Sequence, residues 1–338
     1  MQNFTAAVIQ SGSKLFDTTA TLQQVDHLLA QAAAGGARLA LFPEAYIGGY
    51  PKGASFGAHV GSRSDAGRAL FQKYFDAAIE VPGPECAQLS ALARRHRMLL
   101  VIGVIERSGG TLYCTALYFS ADGTLLGKHR KVMPTAMERL IWGFGDGSTL
   151  QVHDTELGKL SAVICWENYM PQLRLSQYVQ GVEIYCAPTV DDRDVWLSTM
   201  RTIAVEGRCF VLSACQFMQR RDAPDNFQPM QGDAPDTTLI RGGSCIVSPM
   251  GEVLAGPVYG QEAVLLAELD ADLIAHGKFD LDVAGHYARP DLFTLQVNTR
   301  PQTCMQLSAE MDDKAASADQ QEQGIGQAQE ADRKTQPG

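Results

Sequence analysis

The chain has 338 residues, of which 45% are hydrophobic, and a formal charge of −10 from 28 basic and 38 acidic side chains. This composition supplies a large core, and the absence of a basic stripe argues against a nucleic-acid partner. No apolar run approaches the roughly 20 residues that a membrane-spanning helix needs, and the start, MQNFT, lacks the features of a signal peptide. Eight scattered cysteines without a CxxC pair are typical of reduced thiols, so we expect a cytoplasmic protein.

The first elements alternate between strand and helix. Residues 5–10 form a short apolar run that is typical of a buried strand. Thr18–Ala34 repeats apolar residues at helical spacing and is followed by Gly35-Gly36, which predicts a helix that ends at these glycines. Residues 39–42 predict a second strand that leads directly into Pro43-Glu44. This strand–helix–strand order predicts an α/β sandwich.

A long loop and a hairpin are predicted in the middle of the chain. Residues 45–64 hold several glycines and a proline and predict an irregular loop, and loops of this length are often functional. Two helices and a buried strand follow, at residues 65–78, 84–95 and 98–105. A hairpin is indicated by residues 111–120 and 124–131 around Ala121-Asp122-Gly123.

The second half repeats the alternation, and its strand at residues 160–164 ends in Cys165. Further helices are predicted at residues 171–179 and 196–206, and further strands at 182–187, 209–214, 243–248 and 263–269. Residues 219–240 are polar, contain three prolines and predict a surface loop. Residues 308–338 lack aromatic side chains, which predicts a disordered polar tail after a single domain at residues 1–307.

Three reactive side chains share one local context, because Glu44, Lys131 and Cys165 each follow or end a predicted apolar strand. Strand ends gather site residues in α/β proteins, since the sheet holds them rigidly. A cysteine thiolate is a strong nucleophile, a lysine favours the thiolate, and a glutamate can take the thiol proton and activate water. Together these groups suit attack on an electrophilic carbon that is bonded to nitrogen.

Each of these residues alone has a simpler interpretation. A lone cysteine at a strand end is usually a buried structural thiol, a glutamate after Phe42-Pro43 can cap a helix, and a lysine after His129-Arg130 can be an exposed hairpin end. Residues 53–57, GASFG, fit the G-x-S-x-G pattern of serine hydrolases. The glycine- and proline-bearing loop before them lacks the strand that this motif requires, so a serine nucleophile is not expected.

Three segments resemble the signature blocks of the nitrilase superfamily, in the order of that family. They are FPEAY with GGYP within residues 42–51, HRKVMPT at residues 129–135, and CWENYMP at residues 165–171. WGFGDGS at residues 142–148 and GHYARPD at residues 285–291 resemble further blocks of its true nitrilase branch, close to plant-type and related bacterial nitrilases. The similarity runs from about residue 5 to residue 297.

The resemblance implies a four-layer α-β-β-α sandwich, a small-molecule nitrile substrate, and no cofactor or metal. It assigns Glu44 as the general base, Lys131 as the stabilising cation, Cys165 as the nucleophile, and Glu138 as a second glutamate that positions the lysine and the substrate. Family members often form homodimers that assemble into larger spirals. The nucleophile block and the loops after strands supply the residues that we expect to bind substrate: Tyr50, Trp166, Glu167, Thr189 and Trp196.

The resulting hypothesis is a nitrilase that converts an organic nitrile to the carboxylic acid and ammonia through thioimidate and thioester intermediates, with some amide as a by-product. An amidase or carbamoylase on the same fold is the nearest alternative. A non-catalytic, filament-forming scaffold is the alternative from another class, and the intact Glu–Lys–Cys set argues against it. The sequence does not specify which nitrile is the substrate.

Overall fold

The computed structural model describes residues 1–305, so the predicted tail at residues 308–338 lies outside the described residues. The α-helices are α1 (Thr18–Ala34), α2 (Asp65–Ala77), α3 (Pro84–His96), α4 (Glu138–Ile141), α5 (Pro171–Val179), α6 (Val195–Gly207) and α7 (Asp272–Asp280). The strands are β1 (Phe4–Gln10), β2 (Ala37–Leu41), β3 (Ala58–His59), β4 (Ser62–Arg63), β5 (Leu99–Ser108), β6 (Thr111–Phe119), β7 (Leu125–Arg130), β8 (His153–Thr155), β9 (Gly158–Ala162), β10 (Ile184–Cys186), β11 (Phe210–Ser213), β12 (Phe217–Gln219), β13 (Thr238–Val247), β14 (Val253–Tyr259) and β15 (Ala263–Leu269). Met1–Thr299 forms one compact unit.

The strands of this unit build two large sheets. The first sheet has the order β15-β1-β2-β5-β6-β7, with β1, β2 and β5 parallel to one another. The second has the order β12-β13-β11-β10-β9-β8, with β14 paired to β13 and with β9, β10 and β11 parallel. The short β3–β4 hairpin lies inside the predicted loop at residues 45–64. Among the described residues, no helix is long and apolar enough to span a bilayer.

The strands bury side chains on two faces, which produces four layers. In β1, Ala6 and Val8 join a large apolar cluster between the sheets, whereas Ala7 and Ile9 pack with residues of α1 and α3. The side chains of the second sheet also point to two faces. Those on the inner face join the cluster between the sheets, and those on the outer face pack on α5 and α6. Because both faces are covered, these strands are continuous apolar runs rather than alternating ones. The predicted α-β-β-α sandwich is confirmed.

The elements differ from the predictions at a few places. Strand β9 ends at Ala162, so two residues separate it from Cys165, where the sequence predicts the end of the strand. Strand β14 and helix α7 were not predicted. The predicted loop at residues 219–240 contains the last residue of β12, one turn of 3-10 helix at Arg220–Asp222, and the first residues of β13.

A buried carboxylate fixes the position of β7, the strand that leads into Lys131. Glu106 of β5 accepts hydrogen bonds from Thr115 Oγ1 at 3.0 Å, Lys128 Nζ at 2.5 Å, and Arg130 at 2.9 and 2.6 Å. Burial raises the pKa of Glu106, but these hydrogen bonds outweigh it and hold the pKa below its usual range. One carboxylate therefore ties β5, β6 and β7 together across the sheet.

Gly103 of β5 leaves room for the segment that carries Glu44. Its N–H donates to Pro43 O at 3.2 Å, and its carbonyl oxygen accepts from Tyr46 N at 2.9 Å. A Cβ atom at this position would lie 2.3 Å from Pro43 O and 2.8 Å from Glu44 Cα. Both neighbours are backbone atoms, so they can make room only if the segment itself moves.

We expect Gly103→Ala to lower the free energy of unfolding by about 1–3 kcal/mol, because the added methyl group overpacks a backbone contact. Urea denaturation followed by circular dichroism measures this change. Gly110→Ala is the matched control, since nothing lies within 4 Å of a Cβ at that position. Equal stability of the two variants would contradict the close packing around Gly103.

Candidate active site

Four sequence-predicted residues converge at one place between the sheets. Glu44 follows β2 and Lys131 follows β7 in the first sheet, Cys165 follows β9 in the second, and Glu138 begins α4. Lys131 Nζ lies 2.6 Å from Glu44 Oε1 and 2.8 Å from Glu138 Oε2, and Lys131 is only 1% exposed. The indole ring of Trp142 lies 5.3 Å from the same ammonium group.

Burial and neighbouring charges shift the pKa values of Lys131 and Glu44. Burial lowers the pKa of Lys131, but Glu44, Cys165 and Glu138 outweigh it and raise that pKa well above its ordinary value. Lys131 is therefore a permanent cation. Burial raises the pKa of Glu44, Lys131 opposes this, and the negative charge of Glu138 adds to the increase. Glu44 is consequently a stronger base than a solvated glutamate.

The two carboxylate oxygens of Glu44 have different surroundings. Oε1 accepts from Lys131 Nζ and from Cys114 Sγ, whose sulfur lies 3.6 Å away. Oε2 is buried and has no hydrogen-bond partner among the described residues. The Glu44 backbone oxygen accepts from Gln216 Nε2 at 2.9 Å, which fixes the segment. Oε2 is thus the oxygen that can accept a proton. The neighbouring Cys165 thiol lowers the pKa of the Glu44 carboxyl group.

Cys165 begins a short 3-10 helix, Cys165–Tyr169, in an unusual backbone conformation. Its φ of +51° lies in the left-handed region, which costs a non-glycine residue about 1 kcal/mol or more. Its N–H donates to Pro188 O at 2.9 Å, and its carbonyl oxygen accepts from Asn168 Nδ2 at 2.8 Å. These two bonds hold the cysteine where β9 leaves the sheet.

The Cys165 thiol is neutral at rest. Burial raises its pKa above the ordinary value, the charge of Glu44 raises it further, and Lys131 and a hydrogen bond from Thr189 oppose these effects. Lys131 favours the thiolate, as the sequence predicts, but burial outweighs its effect on the pKa. Formation of the nucleophile therefore requires proton transfer to a neighbouring base.

Thr189 directs its hydroxyl group at the sulfur. Its Oγ1 accepts the Asp191 N–H at 2.9 Å and lies 3.2 Å from Cys165 Sγ, so its own hydrogen points to the sulfur. The Asp191 carboxylate accepts from Trp166 Nε1 at 2.9 Å and from Arg193 Nε at 2.8 Å. Burial raises the pKa of Asp191, but the Arg193 bonds outweigh it and lower the pKa. These hydrogen bonds fix the side chains of Thr189, Asp191, Trp166 and Arg193 beside the nucleophile.

A cavity of about 270 Å³ opens over the thiol. It is lined in part by Tyr50, Glu138, Cys165, Trp166, Asp191 and Arg193. The Tyr50 hydroxyl donates to Glu138 Oε1 at 2.7 Å, so it connects the cavity wall to the charged centre. The indole of Trp166 is 43% exposed and faces Arg193 at 4.9 Å. The volume suits a compact organic molecule.

Two residues that were expected to bind substrate do not line this cavity. Trp196, the second residue of α6, is 2% exposed, packs in the core, and donates from Nε1 to Ser213 Oγ at 2.9 Å. Glu167 is fully buried, and its carboxylate accepts backbone N–H groups, among them that of Ile164 at 2.8 Å. The structure thus places both side chains in the core rather than in the cavity wall. Thr189 contacts the nucleophile rather than the cavity, whereas Tyr50 and Trp166 line the cavity, and their binding of substrate remains a prediction.

Several residues of the site were not predicted from the sequence. Cys114 contacts Glu44 from β6, 70 positions away in the sequence, and no local pattern marks it. Asp191 and Arg193 form an ion pair two positions apart just after a predicted strand, which was a signal that could have been used. The described residues contain no group of three or more histidine, cysteine, aspartate or glutamate side chains arranged to hold a metal ion.

Comparisons with known proteins identify the family. Residues 5–279 match the carbon-nitrogen hydrolase family. The chain is 55% identical over 305 residues to an aliphatic nitrilase of Sinorhizobium fredii, covering 90% of this chain and 99% of that protein. It is 53% identical over 317 residues to a bifunctional nitrilase/nitrile hydratase of Lupinus angustifolius, covering 91% of each. The solved structure of the C. elegans NitFhit protein shares the fold, with a TM-score of 0.70 and 20% identity over 90% of this chain and 69% of that one. The chain therefore belongs to the carbon-nitrogen hydrolase family.

Proposed function

We propose that this protein is a nitrilase, which hydrolyses an organic nitrile to a carboxylic acid and ammonia. Relatives that share more than half of their residues with most of this chain are nitrilases from bacteria and plants. The observation that carries the proposal is a buried, neutral Cys165 thiol beside a glutamate with one unpaired carboxylate oxygen and a permanent ammonium group. This set of groups can generate a thiolate at the moment of attack and stabilise the charge that follows.

In the first half of the proposed reaction, Glu44 Oε2 takes the proton of Cys165 as the sulfur adds to the nitrile carbon. The electron pair of the broken carbon–nitrogen π bond moves to nitrogen, which Lys131 and the backbone N–H of Trp166 polarise. The proton held by Glu44 then passes to that nitrogen and gives a thioimidate. Thr189 stabilises the thiolate through its hydroxyl group, and Glu138 holds Lys131 in place.

In the second half, Glu44 takes a proton from a water molecule that adds to the thioimidate carbon and passes it to the nitrogen, which becomes an amino group. Glu44 then takes the proton of the new hydroxyl group and holds it at the tetrahedral species. When the tetrahedral species loses ammonia, a thioester remains, and a second water releases the acid and restores the thiol. When it loses the thiolate instead, the product is an amide. A difference of about 1.4 kcal/mol between these two barriers changes the product ratio tenfold.

The alternatives receive less support. An amidase or carbamoylase would use the same four side chains, but the similar proteins at 50–55% identity are nitrilases. A non-catalytic scaffold would not need the buried charges of Glu44, Lys131 and Glu138, which are costly to bury. A cytoplasmic location and assembly of homodimers into larger spirals, both expected from the sequence, remain predictions.

A panel of aliphatic and aromatic nitriles and their amides tests the proposed function. We expect the wild-type protein to release ammonia from at least one nitrile faster than from the corresponding amide. Cys165→Ala removes the nucleophile, so kcat should fall by roughly 10⁴-fold or more, with the circular dichroism spectrum unchanged.

Cys209→Ala is the matched control, because this buried thiol packs on the outer face of the second sheet and contacts none of the four site side chains. Its activity should stay near that of the wild type. Faster release from amides than from nitriles would favour the amidase alternative, and full activity of Cys165→Ala would contradict the mechanism.

Thr189→Val tests the hydroxyl group that points at the sulfur. A hydrogen bond to a charged group contributes about 1.5–3 kcal/mol, so its loss should slow both turnover and alkylation of Cys165 by iodoacetamide by about 10- to 100-fold. The pKa of Cys165 should rise further above its usual range, since the Thr189 bond lowers it. Thr189→Ser keeps the hydroxyl group and should retain most of the rate; equal rates for valine and serine variants would rule out this role.

The pH dependence of kcat/KM tests Glu44 as the base. Protonated Glu44 cannot accept a proton, so activity should fall as the pH falls through its pKa. Because burial raises that pKa, the acid limb should lie above 4.5, the ordinary value for glutamate. Glu138→Gln removes a negative charge that raises the pKa of Glu44, so the limb should move to lower pH even though the maximal rate decreases. A limb that does not move in this variant would exclude Glu44 as its origin.

A further inference from the structure

The buried carboxylate of Glu167 connects the segments that carry Lys131 and Cys165. Its Oε1 accepts the Val132 N–H at 2.5 Å, and its Oε2 accepts the Ile164 N–H at 2.8 Å and lies 3.0 Å from His129 Nε2. Val132 is the neighbour of Lys131, and Ile164 is the neighbour of Cys165. Glu167 thus contacts the backbone on each side of the site while remaining outside the cavity.

The connection crosses from one sheet to the other. Lys131 follows β7 of the first sheet, whereas Cys165 follows β9 of the second. Apolar contacts dominate the space between the sheets, and such contacts do not fix direction. Hydrogen bonds do fix the direction in which two groups approach each other. Those that a charged carboxylate accepts are among the strongest in proteins. A reaction at Cys165 is sensitive to such placement, since a misplacement of about 1 Å can reduce the rate by about 10²-fold.

We infer that Glu167 is a positioning residue that sets the distance between Lys131 Nζ and Cys165 Sγ. The inference rests on the proposed roles of these two groups. Glu167 lies outside the cavity and its hydrogen bonds go to Val132, Ile164 and His129 rather than to the thiol, so it acts through the backbone at Val132 and Ile164. The side chain that the sequence analysis assigned to substrate binding therefore serves to hold the two halves of the site together.

A simpler role as a helix cap accounts for only part of the geometry. Glu167 does cap the 3-10 helix, because it accepts the N–H of Ile164 just before that helix. The bonds from Val132 and His129 have no part in capping, since both donors belong to the other sheet's segment. A cap alone predicts a loss of stability, whereas a positioning role also predicts a change in the chemistry of Cys165.

Glu167→Gln tests the inference with nearly unchanged volume. Glutamine has one acceptor oxygen, so its amide group must face one of the backbone N–H donors and that connection is lost. We expect kcat to fall at least tenfold with KM within about threefold of the wild type. The pH at which iodoacetamide alkylates Cys165 at half its maximal rate should also rise, because Lys131 stabilises the thiolate less. Glu167→Asp retracts the carboxylate by one methylene group and should have the same effects.

Gln10→Leu is the matched control, because Gln10 is a second buried connection between the sheets. From β1 its Oε1 accepts Gly243 N–H and Ser244 N–H, each at 2.9 Å, and its Nε2 donates to Val258 O at 3.0 Å. It makes no hydrogen bond to Glu44, Lys131, Glu138 or Cys165. This variant should unfold at a lower temperature but keep kcat within about twofold and an unchanged alkylation profile.

Three outcomes would overturn the inference. In the first, Glu167→Gln has the kcat and the alkylation profile of the wild type; in the second, Gln10→Leu loses as much kcat as Glu167→Gln. In the third, neither Glu167 variant unfolds cooperatively, which would mean that Glu167 is needed for folding. Alkylation requires no nitrile. If the wild-type protein hydrolyses no nitrile but Glu167→Gln still shifts the alkylation profile, the proposed function fails and the inference stands.

Discussion

A single buried ammonium group, that of Lys131, lies between the carboxylates of Glu44 and Glu138, and the arrangement of the site depends on it. Removing each charge from water costs several kcal/mol, so the three charges are tolerable only at short distances from one another. One cation cannot neutralise two anions completely. Burial raises the pKa of Glu44, the more deeply buried carboxylate, and the negative charge of Glu138 adds to the increase. The burial that makes this centre costly therefore also makes Glu44 a base.

The fold meets this demand at the boundary between two sheets. β2 and β7 deliver Glu44 and Lys131 from one side, and β9 delivers Cys165 from the other. A different local feature positions each of these residues. Gly103 has no side chain and leaves room for Glu44, the carboxylate of Glu106 fixes β7 before Lys131, and Cys165 has a left-handed backbone conformation. The sandwich therefore provides the core, and a few polar or glycine residues convert its edge into a site.

Regular apolar periodicity made much of this fold predictable from sequence, including α1, α5 and β15 with their observed bounds. Glu44, Lys131 and Cys165 could be grouped because strand ends of α/β proteins meet. β14 escaped prediction because Gly256-Pro257 interrupts its pattern. Glu167 and Trp196 were expected to bind substrate but lie outside the cavity, because proximity in sequence to Cys165 or to a strand end does not reveal the direction of a side chain. The contact of Cys114 with Glu44 depends on tertiary packing, which no local pattern encodes.

The unpaired oxygen of Glu44 has a consequence for the order of events in the proposed reaction. One atom must serve the thiol, the first water and the second water in succession, so no step can begin before the previous proton has departed. At the tetrahedral species, Glu44 holds one proton and has two recipients. Delivery to nitrogen releases ammonia and leads to the acid, whereas delivery to sulfur restores Cys165 and leads to the amide. Whether the product is an acid or an amide is therefore determined by which atom, nitrogen or sulfur, receives this one proton.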